Sequence, residues 1–203
     1  MNRVILSAST DETILAVTRQ HKLVDLEIEQ QINTEIVGCI YKGVVKNIVP
    51  AVDGIFVDIG IGKNAFLRRK DLLNEKRFPT EGSPILAQVI KSDTDMKGAL
   101  ITEKISMFGK YAVTLSGSGY IGVSKKIRQE SVRKRLKEIG KEICAEHMGL
   151  IIRTAAENAD MDEFRKDITR LKENWDIIQK RFRMEKSPTL LYRESDIIVK
   201  ALR

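Results

Sequence analysis

Residues Ile40–Leu72 read IYKGVVKNIVPAVDGIFVDIGIGKNAFLRRKDL. β-Branched and aromatic residues gather here in three short runs, and the runs are separated by Pro50, Gly54, Gly60 and Gly62. Side chains that suit a pleated surface, interrupted by residues that let the chain bend, predict β-strands. The pattern continues outward. SPILAQVIKS and GALITEKI supply two more strands before residue 106, with Gly38, Gly43, Gly82 and Gly98 at further bends. Five strands in about 70 residues, with glycine at the corners, predict a small closed barrel. Between the third and fourth strands, residues 71–84 (DLLNEKRFPTEGSP) are polar and carry Pro79 and Pro84, which predicts a long loop.

On the N-terminal side, VILSAS, ETILAVTR and KLVDLEIE predict three strands of an antiparallel meander. On the C-terminal side, YAVTL and GLIIRT read as strands, Ser116–Gly119 as a flexible turn, and SVRKRLKEI as a short helix. The clearest helical signal follows. Met161, Phe164, Ile168, Leu171, Trp175, Ile178 and Phe182 recur at alternating spacings of 3 and 4, which predicts one apolar stripe on a helix of about six turns. Asp160 and Glu163 form a capping pair at its start, and Ser187-Pro188 marks its stop. The stripe needs a partner, either the 108–154 sheet or a second copy of the chain. The final segment, TLLYRESDIIVKALR, predicts two strands or a strand and the start of a helix, and it stops where an element should continue, as in a piece of a longer chain.

The 203 residues suit one large or two small domains, and 42% apolar residues are enough for a core. A formal charge of +7 suits a polyanionic partner, either nucleic acid or an acidic membrane surface. Cys39 and Cys144 stand far apart in apolar surroundings, and His21 and His147 are the only histidines, so no zinc set is spaced for binding. No segment approaches the roughly 18 apolar residues of a membrane span. Neither a phosphate-cradling glycine motif nor a nucleophile–base pair stands out, so the residues describe a binder before an enzyme.

The barrel offers a face for nucleic acid. Single-stranded RNA is held by aromatic rings beside positive charge. Phe56 and Phe66 lie in barrel strands, with Lys42, Lys46, Lys63, Arg68, Arg69, Lys70 and Lys97 around them. Ile55, Phe56 and Val57 are all apolar, so alternation leaves open whether Phe56 faces the core or solvent. A second basic cluster, SKKIRQESVRKR (124–135), precedes GLIIRTAAENAD (149–160). An arginine ending a strand is ordinarily solvated or paired with a carboxylate. Arg153 and Thr154 would share one ligand only if the strand turned between them, because consecutive strand residues face opposite ways.

IYKGVVKNIVPAVDGIFVDIGIGKNAFLRRKDL closely resembles the RNA-binding barrel of the ribonuclease E/G endoribonucleases, and HMGLIIRTAAENAD resembles their sensor for the RNA 5′ end. MNRVILSAS, KGALITEKISMFGKYAV and SPTLLYRESDIIVKALR follow the family's order of segments, so the resemblance covers essentially the whole chain. It implies an α+β fold. Residues 1–35 would form part of a ribonuclease-H-like subdomain that is not catalytic. Residues 36–105 would be a five-stranded OB-type barrel inserted into it, 106–187 a 5′-sensor subdomain with the long amphipathic helix, and 188–203 a return into the ribonuclease-H-like part. The resemblance also implies that Phe56, Phe66 and Lys97 contact RNA, which breaks the tie on Phe56. Arg153 and Thr154 would grip a terminal 5′-monophosphate, and Gly109 and Val113 would support the terminal nucleotide. A guanidinium gives a two-pronged contact to phosphate oxygens, and glycine allows close backbone approach.

The family's catalytic, metal-binding carboxylates and its zinc cysteines lie in later domains, and nothing here matches them. The chain is therefore expected to hold no cofactor, with Mg²⁺ belonging to the missing catalytic domain, and to leave RNA uncleaved on its own. Its expected partner is single-stranded RNA with a 5′-monophosphate, in the cytoplasm. Two other readings stand beside this one: a free-standing, non-cleaving RNA-binding regulator of translation or decay, and a scaffold that forms homo-oligomers through the 161–182 stripe. In the absence of further ribonuclease-H-like segments, the first three strands are expected to pair with Leu190–Tyr192 and Asp196–Val199, or with a second molecule.

Overall fold

The computed structural model describes residues 2–9, 12–30, 36–76, 78–94, 97–144 and 148–193. His147 and the expected strand Asp196–Val199 lie outside them. The first three strands, β1 (Asn2–Ala8), β2 (Glu12–Arg19) and β3 (Lys22–Gln30), form an antiparallel meander. The turn at Gln20-His21 places both residues at positive φ (49° and 64°), which closes the tight connection into β3.

The barrel is built from β4 (Ile40–Val49), β5 (Gly54–Asp58), β6 (Ala65–Arg68), β7 (Pro84–Lys91) and β8 (Leu100–Thr102). Sheet order runs β4-β5-β6-β8-β7, and β4 pairs with β7 to close it. Alternation fills the interior: Val45, Ile55, Val57, Leu67, Ala87 and Ile101 are each 0–1% exposed. Burying each large side chain among them contributes about 1.5–3 kcal/mol. The 71–84 segment forms the expected loop between β6 and β7. It is anchored by the buried Leu72 and by Glu103, which accepts a hydrogen bond from Leu73 N (2.9 Å).

Next come β9 (Ser106–Phe108), β10 (Ala112–Ser116), β11 (Ile121–Val123), α1 (Glu130–Ile143), β12 (Met148–Ile152) and α2 (Met161–Met184). Their strands form a sheet in the order β11-β12-β10-β9, in which β11 and β12 are parallel and the other pairs antiparallel. Both helices cover one face of it: Leu136 and Ile139 of α1 and Phe164, Ile168 and Leu171 of α2 pack with Ile121, Leu150 and Ile152. The apolar stripe of α2 is thus buried against the chain's own sheet, which removes the sequence argument for an oligomer formed through it. Asp160 caps α2 by accepting from Asp162 N (2.8 Å) and Glu163 N (3.2 Å).

The last described strand, β13 (Thr189–Tyr192), pairs antiparallel with β4 on the barrel. This corrects the expected pairing of Leu190–Tyr192 with the first three strands. The cause is apolar matching. Ile40 of β4 and Leu191 of β13 are 0% and 2% exposed, and both enter the core beneath α2. Lys42 braces the same junction, donating from Nζ to the carbonyls of Phe182 and Glu185 (2.6 Å each) at the end of α2. Those carbonyls have no partner within the helix, so a cation there is favourable.

Candidate nucleic-acid interface

On the barrel, Ile55 and Val57 point inward with no exposure, so Phe56 between them faces out. Ala65 and Leu67 do the same for Phe66. Phe56 and Phe66 are register partners, with ring centroids 5.3 Å apart at 47°. A Cβ on Gly54 would lie 2.4 Å from the Phe66 ring, so only glycine lets that ring lie across β5. The row extends to Asn47 on β4 and Leu100 on β8, the partners of Phe56 and Phe66. Lys97 is exposed in a turn closed by Thr94 N to Lys97 O (2.8 Å). That turn reaches the row because Phe66 N donates to Ala99 O (2.7 Å). Lys63 adjoins it, donating to Thr94 O (3.0 Å).

Three cations that the sequence assigned to this face serve elsewhere. Lys42 caps α2, Arg68 pairs with Asp71, and Arg69 pairs with Asp53 while stacking 3.7 Å from the centre of the Phe78 ring. Lys46 is paired with Asp58 at 3.4 Å, a half-exposed contact of little energetic weight.

The second cluster forms where β12 ends. Arg153 stays extended, with its N–H bonded to Tyr111 O (2.8 Å). The chain then turns into a single 3₁₀ turn, Thr154–Ala156, so the strict strand alternation ends between Arg153 and Thr154. The Arg153 guanidinium is exposed, and its Nη1 donates to Gly109 O (2.9 Å). Among the described residues it has no carboxylate partner. The Thr154 hydroxyl sits 2.9 Å from that of Ser124, the residue after β11. The structure therefore joins Arg153 to Gly109 and Thr154 to Ser124, in two contacts carried by consecutive residues. Val113 lies one row away on β10, facing out beside Ile151.

The loop that presents Gly109 is held from α2. Asp167, 9% exposed, accepts from Tyr111 N (2.8 Å) and Lys110 N (3.2 Å). A Cβ on Gly109 would lie 2.4 Å from an Asp167 carboxylate oxygen. Glu163 accepts from Tyr111 Oη (2.6 Å) and Lys110 Nζ (3.2 Å). The Tyr111 hydroxyl and then the Lys110 ammonium hold its carboxyl below the usual range. Glu163 thus serves the loop rather than completing a capping box with Asp160. Arg133, counted with the basic run, folds back to the carbonyls of Ser124 (2.7 Å) and Ile127 (2.9 Å). These bonds fix the loop on which Lys125, Lys126 and Arg128 stay exposed. Sequence reasoning missed Ser124 and Asp167. Only Asp167 left a trace, as an acid set three residues after Phe164 and next to Ile168 on the core-facing side of a helix.

A closed, OB-like five-stranded barrel with outward aromatic rings beside exposed cations is the architecture of a nucleic-acid-binding fold. The comparisons agree. Residues 34–102 match the S1 RNA binding domain, and residues 106–203 match the Ribonuclease E/G family. The chain belongs to the ribonuclease E/G family. It is 33% identical to Ribonuclease G of Escherichia coli over 217 residues, covering 98% of this chain and 44% of that protein. It is 31% identical to Ribonuclease E of Buchnera aphidicola over 220 residues, covering all of this chain and 23% of that one. Against Ribonuclease E of Synechocystis the identity is 34% over 187 residues, 28% of that protein. The chain spans less than half the length of these relatives. Among the described residues, no helix is long and apolar enough to cross a membrane.

Proposed function

We propose that the chain binds the first nucleotides of single-stranded RNA at a 5′-monophosphate, as the RNA-recognising part of a cytoplasmic endoribonuclease of RNA processing and decay. Arg153 and Thr154 hold the phosphate, Gly109 and Val113 support the nucleotide, and Phe56, Phe66 and Lys97 hold the strand on the barrel. The observation that carries this reading is Arg153: an exposed guanidinium with no carboxylate partner among the described residues, held by Gly109 O and followed in sequence by Thr154, whose hydroxyl faces that of Ser124. Buried structural arginines have their charge answered; this one offers it to a ligand. A terminal monophosphate supplies more negative charge than an internal phosphodiester and three free oxygens. We assign Mg²⁺-dependent cleavage to a region outside these residues.

The test is a titration of wild type and Arg153→Ala against one RNA carrying either a 5′-phosphate or a 5′-hydroxyl, at one fixed salt concentration. Loss of one charge-assisted contact costs about 1.5–3 kcal/mol, roughly tenfold to a hundredfold in affinity. That loss is expected for the phosphorylated RNA alone. Equal losses for both RNAs would make Arg153 a general backbone contact and sink the reading.

A further inference from the structure

The helices of the α/β unit cover one of its two faces. They pack on the side formed by Ile121, Leu150 and Ile152. On the opposite side, one register row crosses all four strands: Gly122 of β11, Ile151 of β12, Val113 of β10 and Phe108 of β9. Phe108 is 48% exposed and Ile151 40%. The ring of Tyr120, 65% exposed, lies over Gly122, where a Cβ would come within 2.8 Å of it. The turn that carries Tyr120 is itself packed onto the sheet: a Cβ on Gly149 would lie 2.6 Å from Ser118 O and 3.1 Å from Tyr120 O. The row thus has an aromatic ring at each end and two aliphatic side chains between. With strands about 4.8 Å apart, it is about 14 Å wide.

Its surroundings are cationic. Arg153 lies two residues beyond Ile151 on the same strand face. Lys125, Lys126 and Arg128 follow Ser124, which bonds Thr154, and none of these three makes an ion pair among the described residues. An open sheet face with aromatic rings, helices behind it and positive charge along one edge is the arrangement that takes two or three splayed bases of single-stranded RNA.

We infer that this face is a base platform. Phe108 and Tyr120 stack the bases of the nucleotides that follow the 5′ end, either side of Val113 and Ile151. This rests on the reading of Arg153 and Thr154 as the phosphate grip and extends it from one nucleotide to two or three. Bases already stacked in a duplex are unavailable to it, so the platform selects a single-stranded 5′ end of any sequence.

The test uses the 203-residue chain and four RNAs: 5′-phosphate or 5′-hydroxyl, each with intact bases or with the first three nucleotides abasic. Wild type is expected to bind the intact phosphorylated RNA about tenfold or more tightly than its abasic counterpart, the effect of one or more base stacks. Phe108→Ala and Tyr120→Ala each remove most of that difference and leave the abasic RNA bound as before. Phe108→Leu, which keeps apolar volume without a ring, loses as much as Phe108→Ala, and Tyr120→Phe binds like wild type. Melting curves verify that each variant is folded. Normal binding by the alanine variants, or equal losses on abasic RNA, overturns the platform and leaves the row as a face for a protein. The ratio of phosphate to hydroxyl affinity, read in the same titrations, reports the phosphate grip separately. If that ratio holds while the base effect vanishes, the platform alone has failed. If the ratio is one in wild type, the grip has failed.

Discussion

Phe56 shows how one residue's role waits on its neighbours' burial. Ile55, Phe56 and Val57 saturate the apolar signal, so period two carries no phase there. The phase appears only when Ile55 and Val57 fill the barrel and leave the Phe56 ring outside, 5.3 Å from that of Phe66. A ring that stacks one base contributes about 1–3 kcal/mol. Phe56→Ala and Phe66→Ala should each weaken single-stranded RNA binding by that amount and leave duplex binding unchanged, as read by fluorescence anisotropy. If both folded variants bind normally, the rings are not stacking surfaces. Arg153 and Thr154 stood out in GLIIRT as a cation and a hydroxyl ending a buried strand, but the residues alone gave them no ligand, and only the family resemblance suggested one. Ser124 and Asp167 did not stand out. Their partners lie 30 and 56–57 residues away, at Thr154 and at Lys110 and Tyr111, and no local pattern encodes such a meeting.

Among the elements, α2 was the easiest to read, because its stripe repeats over about six turns and its cap is local. The barrel strands were nearly as plain. β13 was misassigned to the first three strands because a strand's partner is set by long-range register, and its own residues do not record it. The short connector between β8 and β9 was silent in the sequence, yet it carries Glu103, which fastens the long barrel loop through Leu73 N (2.9 Å). Burial pushes the Glu103 carboxyl up, more than that hydrogen bond pulls it down. A carboxyl with a raised folded-state pKa binds its proton more tightly when folded. Its contribution is therefore greatest at low pH and declines as pH rises from the ordinary carboxylate range through the folded value. Glu103→Gln keeps an acceptor for Leu73 N without the charge. It should remove that decline and be the more stable form at neutral pH, measured by urea unfolding at pH 4 and pH 7. A variant less stable than wild type at pH 7 would show that the charge itself is useful.

At the scale of the whole molecule, the barrel and the α/β unit are joined three ways: β13 pairs with β4, Ile40 enters the core beneath α2, and Lys42 binds the carbonyls of Phe182 and Glu185. Arg181 of α2 adds bonds to the carbonyls of Leu190 and Leu191. A joint of this kind makes the molecule a caliper. On the function proposed above, its jaws are Arg153 and the paired rings at Phe56 and Phe66, and the opening between them is set by the joint rather than by the RNA. A 5′-phosphorylated strand too short to bridge that opening closes on one jaw only. One nucleotide past the bridging length, the second contact becomes intramolecular, at an effective concentration in the millimolar range. Affinity plotted against RNA length should therefore rise in a step rather than a slope, and Phe56→Ala with Phe66→Ala should erase the step while leaving short RNAs bound as before. A smooth rise would mean that the jaws move freely. With the step in place, the chain measures how much unpaired RNA follows a 5′ end.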